Sequence, residues 1–311
     1  MKDISEKDLK DNIPLVTRKD FKRSIKVGRG FISKDSVTVI AGPCTVENRS
    51  QIFQIAESVK KSGATMLRGG IFKPLTFPYG DPLLRDDSGE ISIEAVGVVD
   101  KEFSYKTAEK RLSYLREAGE KYDLPVISEI LYSDTVEMMS EYVDMFQIGY
   151  RHMFNMDLIE TLAKSEKPIM IKRHYGESLR SLLGVGEHFE VRGKHNFVFC
   201  ERGISVPHTH HSMSRAVLDI QAIAALNEFA PTVPVFADPS HSTFRRNYVP
   251  AMSRAAISAG ADGLLIEVHN NPINAWVDPL NAIGFNEFYS LMGEIAGIAS
   301  VMGKAIGMKP I

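Results

Sequence analysis

The sequence predicts a (β/α)8 barrel, and three observations carry that prediction. Eight short apolar runs alternate with helical patterns along almost the whole 311-residue chain, the serial order of a parallel α/β architecture. The runs are continuously apolar rather than cleanly alternating, which suits strands covered on both faces. Acids, bases, histidine and cysteine gather where those runs end, and in a barrel all such ends open on one face. A doubly wound sheet is the rival architecture.

Taken in order, residues 1–24 read as an extended N-terminal arm and residues 25–311 as one catalytic barrel. "SIKVGRGFISKD" reads as a small hairpin around Gly28 or Gly30 that plugs the barrel floor. The strands follow at "VTVIAGP" (37–43), "ATMLRGG" (64–70), "LPVISEI" (124–130) and "VDMFQIG" (143–149). The other four are "KPIMIKR" (167–173), "NFVFCER" (196–202), "VPVFADP" (233–239) and "GLLIEVH" (263–269). Segments between them, such as "SQIFQIAESVKKSG" and "TAEKRLSYLREAGEKY", space apolar residues by three and four and exit in Gly or charge, as helices do. In "SDTVEMM" the expected N-cap is Ser133 or Asp134. The last helix, within "GFNEFYSLMGEIAGIASVMGKA", closes the ring. Residues 79–106 make a long connection after the second strand, the kind of insertion that serves as a functional lid.

Composition excludes several function classes. An apolar content of 44% and a charged content of 24% suit a globular enzyme with a sizeable core. A formal net charge of -2 offers no bulk attraction to nucleic acid or to an anionic membrane. No apolar run approaches the roughly 20 residues of a membrane span, and the charged opening "MKDISEKDLKDN" is no signal peptide. Two cysteines, Cys44 and Cys200, make no disulfide framework, and reduced thiols point to the cytoplasm.

The strand ends read, in order, Cys44; Arg68 and Lys73; Glu129; Arg151; Lys172 and Arg173; Glu201 and Arg202; Asp238 and His241; Glu267 and His269. Two chemistries divide the set. Arg68, Lys73, Arg151, Lys172, Arg202 and Arg245 put several positive charges in one cleft, which is unfavourable unless a multiply charged anion fills it. Arginine forks fit phosphate and carboxylate oxygens, and lysine supplies a point charge or a proton. Ordinary salt bridges with Glu129, Glu201 and Asp238 account for two or three of the six cations. The second chemistry is metal binding. Cys44 ends strand one, His241 follows strand seven, Glu267 ends strand eight and Asp278 lies in the loop beyond. Strands one and eight adjoin in a closed barrel, so one thiolate, one imidazole and two carboxylates converge as a mixed site for Mn, Fe, Co or Zn. Taken singly, each has a plainer account: Cys44 as a packed small hydrophobe, Asp278 as a helix cap.

Other motifs carry less. His208, His210 and His211 in "VPHTHHS" fit a solvated polar loop. Cys200 lies inside an apolar strand and reads as core. "GVGEHFEVRG" lacks the strand–GxGxxG–helix setting of a dinucleotide site.

With these residues assembled, the chain resembles a known family. "AGPCTVEN", "LRGGIFKP", "FQIGYRHM", "IMIKR", "FCERG", "DPSH" and "LIEVH" are together similar to the 3-deoxy-D-arabino-heptulosonate 7-phosphate (DAHP) synthases. They are most like the class related to the 3-deoxy-octulosonate 8-phosphate synthases. The match runs from about residue 24 to 300, in order, at successive strand ends. The resemblance implies a metal-assisted aldol-type condensation of phosphoenolpyruvate with an aldose phosphate, releasing phosphate, at the first step of the shikimate (aromatic amino acid) pathway. It implies Cys44, His241, Glu267 and Asp278 as metal ligands, and Arg68, Lys73, Arg151, Lys172 and Arg202 as the phosphoenolpyruvate site. Thr76 and Arg245 fall on the substrate side, Lys73 and His241 are the proton carriers expected, and Glu201 is placed to orient a water. A cytoplasmic homo-oligomer, tetramer or dimer, is implied, without the separate regulatory domain of some relatives.

The chain also departs from the family. The family's usual Lys-Pro-Arg-Thr-Ser reads Lys73-Pro74-Leu75-Thr76-Phe77 here, without the Arg and Ser that serve the acceptor. Tyr150 and His152 replace small and amide residues beside Arg151, and His174 stands where Gly is common. Two alternatives therefore stay open: a related synthase for a different aldehyde, and a catalytically silent barrel that binds a phosphorylated ligand.

Overall fold

The computed structural model describes residues 4–75, 80–91, 101–208, 210 and 216–310. Its centre is a closed parallel barrel of eight strands: β3 (Ser36–Gly42), β4 (Met66–Arg68), β5 (Val126–Ile130), β6 (Met145–Ile148), β7 (Ile169–Lys172), β8 (Phe197–Glu201), β9 (Val235–Ala237) and β10 (Gly263–Glu267). Each pairs with the next in sequence, and β10 closes on β3 with Gly263 opposite Thr38 and Glu267 opposite Gly42. All eight expected strands are therefore present, and the closure decides for the barrel against an open doubly wound sheet.

The helices lie outside: α1 (Arg49–Lys61), α2 (Lys101–Lys121), α3 (Val136–Ser140), α4 (Met156–Lys164), α5 (Leu179–Glu190), α6 (Ile220–Phe229), α7 (Pro239–Thr243), α8 (Val249–Ser258) and α9 (Phe285–Val301). Side-chain caps from Asn48, Asn155, Ser178 and Asp219 satisfy N-terminal amides of α1, α4, α5 and α6. Neither Ser133 nor Asp134 caps α3. Both sit in a preceding 3-10 turn, where the Ser133 hydroxyl donates to Asp157 and Asp134 accepts from the Tyr105 hydroxyl at 3.0 Å. Within the 79–106 stretch the described residues form a 3-10 turn at Pro82–Leu84, and α2 already begins at Lys101.

The floor is plugged as expected. β1 (Ile25–Val27) and β2 (Gly30–Ile32) form an antiparallel hairpin whose turn places Gly28 at φ +54, and β12 (Lys309–Pro310) adds a third strand beside β2. A two-residue strand, β11 (Ala305–Ile306), pairs with β3 at the same end. Ile25, Val27 and Ile32 share a cluster with an inward layer of one residue per barrel strand, Ile40, Met66, Ile127, Met145, Met170, Val198, Phe236 and Leu265, and with Cys200 above Val198. The arm before the hairpin is not extended. It opens with a short π-helix, Asp8–Asn12, and folds against α5, where Glu187 accepts the Leu15 and Val16 amides and Glu190 pairs with Arg18 and Arg23. Ile13 and Val16 are buried there, so apolar anchoring and ion pairs outweigh the polar look of the segment.

Alternation along the strands places the site. Two residues beyond each inward apolar residue stand Gly42, Arg68, Glu129, Gln147, Lys172, Cys200, Asp238 and Glu267. Five of these eight are charged, so the barrel interior turns from apolar to ionic in one step of the pleat.

Candidate active site at the barrel mouth

The four candidate metal ligands come together at the mouth. Ligand atoms of Cys44, His241, Glu267 and Asp278 all lie within 4.8 Å of one another. The Cys44 thiol is 3.4 Å from Asp278 Oδ2, and His241 Nε2 is 3.0 Å from Glu267 Oε1 and 3.8 Å from Asp278 Oδ2. Three local features bring them together. Gly42, at φ +153, passes so close to the Arg68 carbonyl that a Cβ would sit 2.1 Å from its oxygen, and the chain then turns to Cys44. Asp238 caps the short α7 by accepting the His241 amide at 3.0 Å and holds His241 Nδ1 at 2.8 Å, leaving Nε2 to face the quartet. Asp278 adopts φ +52 in the loop after β10.

That loop is tied to the first barrel loop. Glu47 Oε1 accepts the Trp276 amide at 2.9 Å and meets His269 Nε2 at 3.0 Å, while His269 Nδ1 accepts the Asn271 amide at 2.9 Å. His269, a strand-end residue in the sequence, thus supports the backbone that carries Asp278 and stays outside the quartet.

The electrostatics suit a cation. The fully buried Glu267 has His241 and Arg68 beside Oε1, and its Oε2 has no hydrogen-bond partner among the described residues. Burial alone would raise Glu267, but His241 and Arg68 outweigh it and hold the carboxyl down to about 2. Burial likewise opposes the Asp238 charge and is outweighed by His241 and Lys172, which hold it well below the usual carboxylate range. Burial, reinforced by Glu267, pushes the Cys44 thiol up, so the thiolate needs a cation beside it. The donor set of sulfur, nitrogen and two carboxylates, one of them buried with an oxygen left open, fits a divalent transition ion.

Beside the quartet lies a cavity of about 260 Å³. Lys73, Glu129, Tyr150, Arg151, Lys172 and Arg202 line it together with His241 and Asp278, and Leu75 and Val277 supply apolar wall. Gly149 permits this arrangement, because a Cβ there would lie 1.8 Å from Glu129 Oε1. Larger hollows of about 540 and 550 Å³ lie by the floor hairpin and behind Phe72, but neither gathers the quartet or the arginines.

The cations fall into two groups. Three are paired: Arg68 with Glu267 at 3.3 Å, Lys73 with Glu129 at 3.5 Å, and Lys172 with Asp238 at 2.5 Å. Two have no carboxylate in contact among the described residues, the exposed Arg151 and the buried Arg202. Nε and one terminal nitrogen of Arg202 have no hydrogen-bond partner, and burial works against its charge. A buried guanidinium with open donors on a cavity wall is a receptor for an anion. Lys73 keeps its proton, since Cys44 and Glu129 outweigh the cost of its burial.

Not every expected residue arrives. Glu201 points behind the wall, where its oxygens bind Arg173 at 2.8 Å and the Gly203 amide at 2.6 Å. Arg245 stacks over Tyr248 at 5.4 Å and does not line the cavity. Thr76 lies outside the described residues, as do Phe77 and His211. His208 and His210 are exposed, and Cys200 is core, its thiol pushed up by burial. Glu129 and Asp238, read from the sequence as strand-end acids able to pair the cations, do pair with Lys73 and Lys172, while the sequence reading assigns Tyr150 and Glu47 no role. Counting the pleat from the apolar strand centres would have pointed Glu129 and Asp238 inward and Glu201 outward. Sequence carries no comparable signal for Tyr150 or Glu47.

Known proteins share this arrangement of chain and fold. The model of the DAHP synthetase I family matches residues 16–81 and 102–299. The chain belongs to the DAHP synthetase I family. A phospho-2-dehydro-3-deoxyheptonate aldolase of Thermotoga maritima is 34% identical over 279 residues, covering 90% of this chain and 73% of that protein. A 2-dehydro-3-deoxyphosphooctonate aldolase of Desulfatibacillum aliphaticivorans is 26% identical over 271 residues, 84% of this chain and 91% of its own. Among solved structures, a truncated DAHP synthase from Thermotoga maritima superposes with a TM-score of 0.76 at 31% identity, covering 92% of this chain and 95% of that one. Membership in the DAHP synthetase I family agrees with the barrel, with the anion-receptive arginines and with a metal-receptive quartet at one mouth.

Proposed function

We propose that this chain condenses phosphoenolpyruvate with an aldose phosphate, in the manner of a DAHP synthase, at the C-terminal mouth of its barrel. The observation that carries the assignment is one cavity lined both by the buried Arg202, whose Nε and one terminal nitrogen have no hydrogen-bond partner, and by His241 and Asp278 of the quartet completed by Cys44 and Glu267. Family membership supplies the reaction.

In this reading Arg202 and Arg151 take the anionic oxygens of phosphoenolpyruvate, with Lys172 beside them, and neutralise the phosphate as it leaves. The quartet would hold Mn, Fe, Co or Zn, which when bound polarises the acceptor aldehyde towards attack by C3 of phosphoenolpyruvate. Lys73, charged and facing the cavity, holds the proton that the new hydroxyl requires. His241 is spent on orientation, with Nδ1 on Asp238, and belongs to the ligand set rather than to proton transfer. Water then adds at C2, and carbon–oxygen cleavage releases phosphate. Glu201, bound behind the wall, drops out of that step.

Among the described residues no helix is long and apolar enough to cross a membrane. The two free cysteines suit a reducing compartment such as the cytoplasm, and a dimer or tetramer is expected from the family resemblance, to be checked by sedimentation. The decisive assay follows phosphate release from phosphoenolpyruvate in metal-loaded protein. Release that requires both metal and aldose phosphate supports the proposal, whereas none over the aldose panel would leave a phospho-ligand-binding barrel.

A further inference from the structure

We propose that Tyr150 is a positioning residue that holds the two unpaired arginines of the cavity in one arrangement, ready for the phosphoenolpyruvate anion. The inference rests on the reading that Arg151 and Arg202 receive that anion. The Arg202 guanidinium lies 4.2 Å from the Tyr150 ring centroid and the Arg151 guanidinium 4.7 Å from it. One electron-rich ring therefore touches both cations that lack a carboxylate. Arg68, Lys73 and Lys172 are held in ion pairs, whereas these two share the Tyr150 ring.

The ring is itself held. Tyr150 opens a 3-10 turn, Tyr150–His152, directly after β6, so its backbone is anchored to the barrel. His174 and Tyr175 stack on each other at 4.5 Å, and their rings stand 5.6 and 5.4 Å from that of Tyr150. Tyr175 and Phe244 also flank Arg202, at 5.9 and 5.8 Å. Nε and one terminal nitrogen of the Arg202 fork have no hydrogen-bond partner, and the contacts recorded for the guanidinium among the described residues are aromatic. A guanidinium left free to turn would pay ordering entropy when the anion docks; one already stacked pays less. The ring's negative face also offsets the repulsion between two like charges at one site. Stacking needs the ring and makes no use of the hydroxyl.

The test compares Tyr150→Phe, Tyr150→Leu and Tyr150→Met with the parent, using metal-loaded full-length enzyme. Phosphoenolpyruvate is varied at saturating erythrose 4-phosphate, and its binding is also measured by calorimetry. Tyr150→Phe should stay within about twofold of the parent, while Leu and Met should weaken phosphoenolpyruvate by roughly five- to thirtyfold in KM and Kd. Melting temperature should change little, because the residue is partly exposed on a turn. On an Arg202→Ala background the Leu change should have a much smaller effect, since the ring then has one fewer cation to hold. Parent-like binding in the Leu and Met variants, or a Phe variant as poor as they are, overturns the proposal. Arg202→Ala with unchanged phosphoenolpyruvate binding would instead sink the anion-site assignment on which it stands.

Discussion

The barrel interior has two layers built by the same eight strands. In the lower layer Ile40, Met66, Ile127, Met145, Met170, Val198, Phe236 and Leu265 close on the hairpin residues Ile25, Val27 and Ile32. One pleat higher, Arg68, Glu129, Lys172, Asp238 and Glu267 face one another. The lower layer gains from every contact, since apolar burial stabilises and close packing leaves no void. The upper layer loses solvation for each ion it buries and recovers it only through pairing. Where ion pairing stops, at Arg202, and where Glu267 Oε2 faces no cation in contact among the described residues, the structure holds polar atoms that its own fold leaves open. Those are the places to look for ligands, and the difference between the layers is open to measurement.

The largest effect expected is on metal. Chelation should abolish turnover, with recovery on adding a divalent ion back, and Cys44→Ser should weaken metal binding because a hydroxyl replaces a thiolate. Full activity in protein shown metal-free by elemental analysis would remove the quartet from the chemistry. Next comes the lower layer. Phe236→Ala should cost about 3–5 kcal/mol of stability, read by denaturant unfolding, while the surviving folded enzyme keeps its kcat/KM. A kinetic defect out of proportion to unfolding would show that the two layers are not separable. Arg202→Met should do the reverse. Loss of its charge-assisted contacts amounts to roughly 1.5–3 kcal/mol, about one to two decades in the KM for phosphoenolpyruvate, with a melting temperature unchanged or raised. A marked loss of stability would show instead that the fold uses this cation.

The same contrast explains what could be read from sequence. Eight apolar runs bounded the strands to within two residues, because a strand buried on both faces has few ways to be written. Cys44, His241, Glu267 and Asp278 were legible because barrel closure makes strands one and eight neighbours. Direction was harder. Glu201 and Lys172 are both charged strand ends, yet one points out to Arg173 and the other in to Asp238. Parity against Cys200 and Met170 separates them, and strand-end position alone does not. The arm's fold on α5 depended on Glu187 and Glu190, some 170 residues away, as the 172-residue separation of Leu15 and Glu187 illustrates. Local pattern holds no trace of such contacts. Tyr150 is likewise visible only once Arg202 and Arg151 arrive on its ring.

The smallest effect probes the acceptor side, where the upper-layer logic runs out. Leu75 and Val277 supply apolar wall to a cavity otherwise dominated by ions, and family resemblance leads one to expect Arg at position 75. A guanidinium there would face the aldose phosphate and add one charge-assisted contact. Leu75→Arg should therefore lower the KM for erythrose 4-phosphate by roughly one decade and leave the KM for phosphoenolpyruvate within about twofold. The change adds a charge near an exposed rim, so the stability change should stay within about 0.5 kcal/mol. Steady-state kinetics with erythrose 4-phosphate, arabinose 5-phosphate and ribose 5-phosphate, parent against variant, read the outcome. An unchanged erythrose 4-phosphate KM would mean that the wall at Leu75 does not limit binding of the aldose phosphate. A gain confined to one aldose would show that the wall at Leu75 selects the acceptor, and would extend the comparison from the floor of the barrel to its rim.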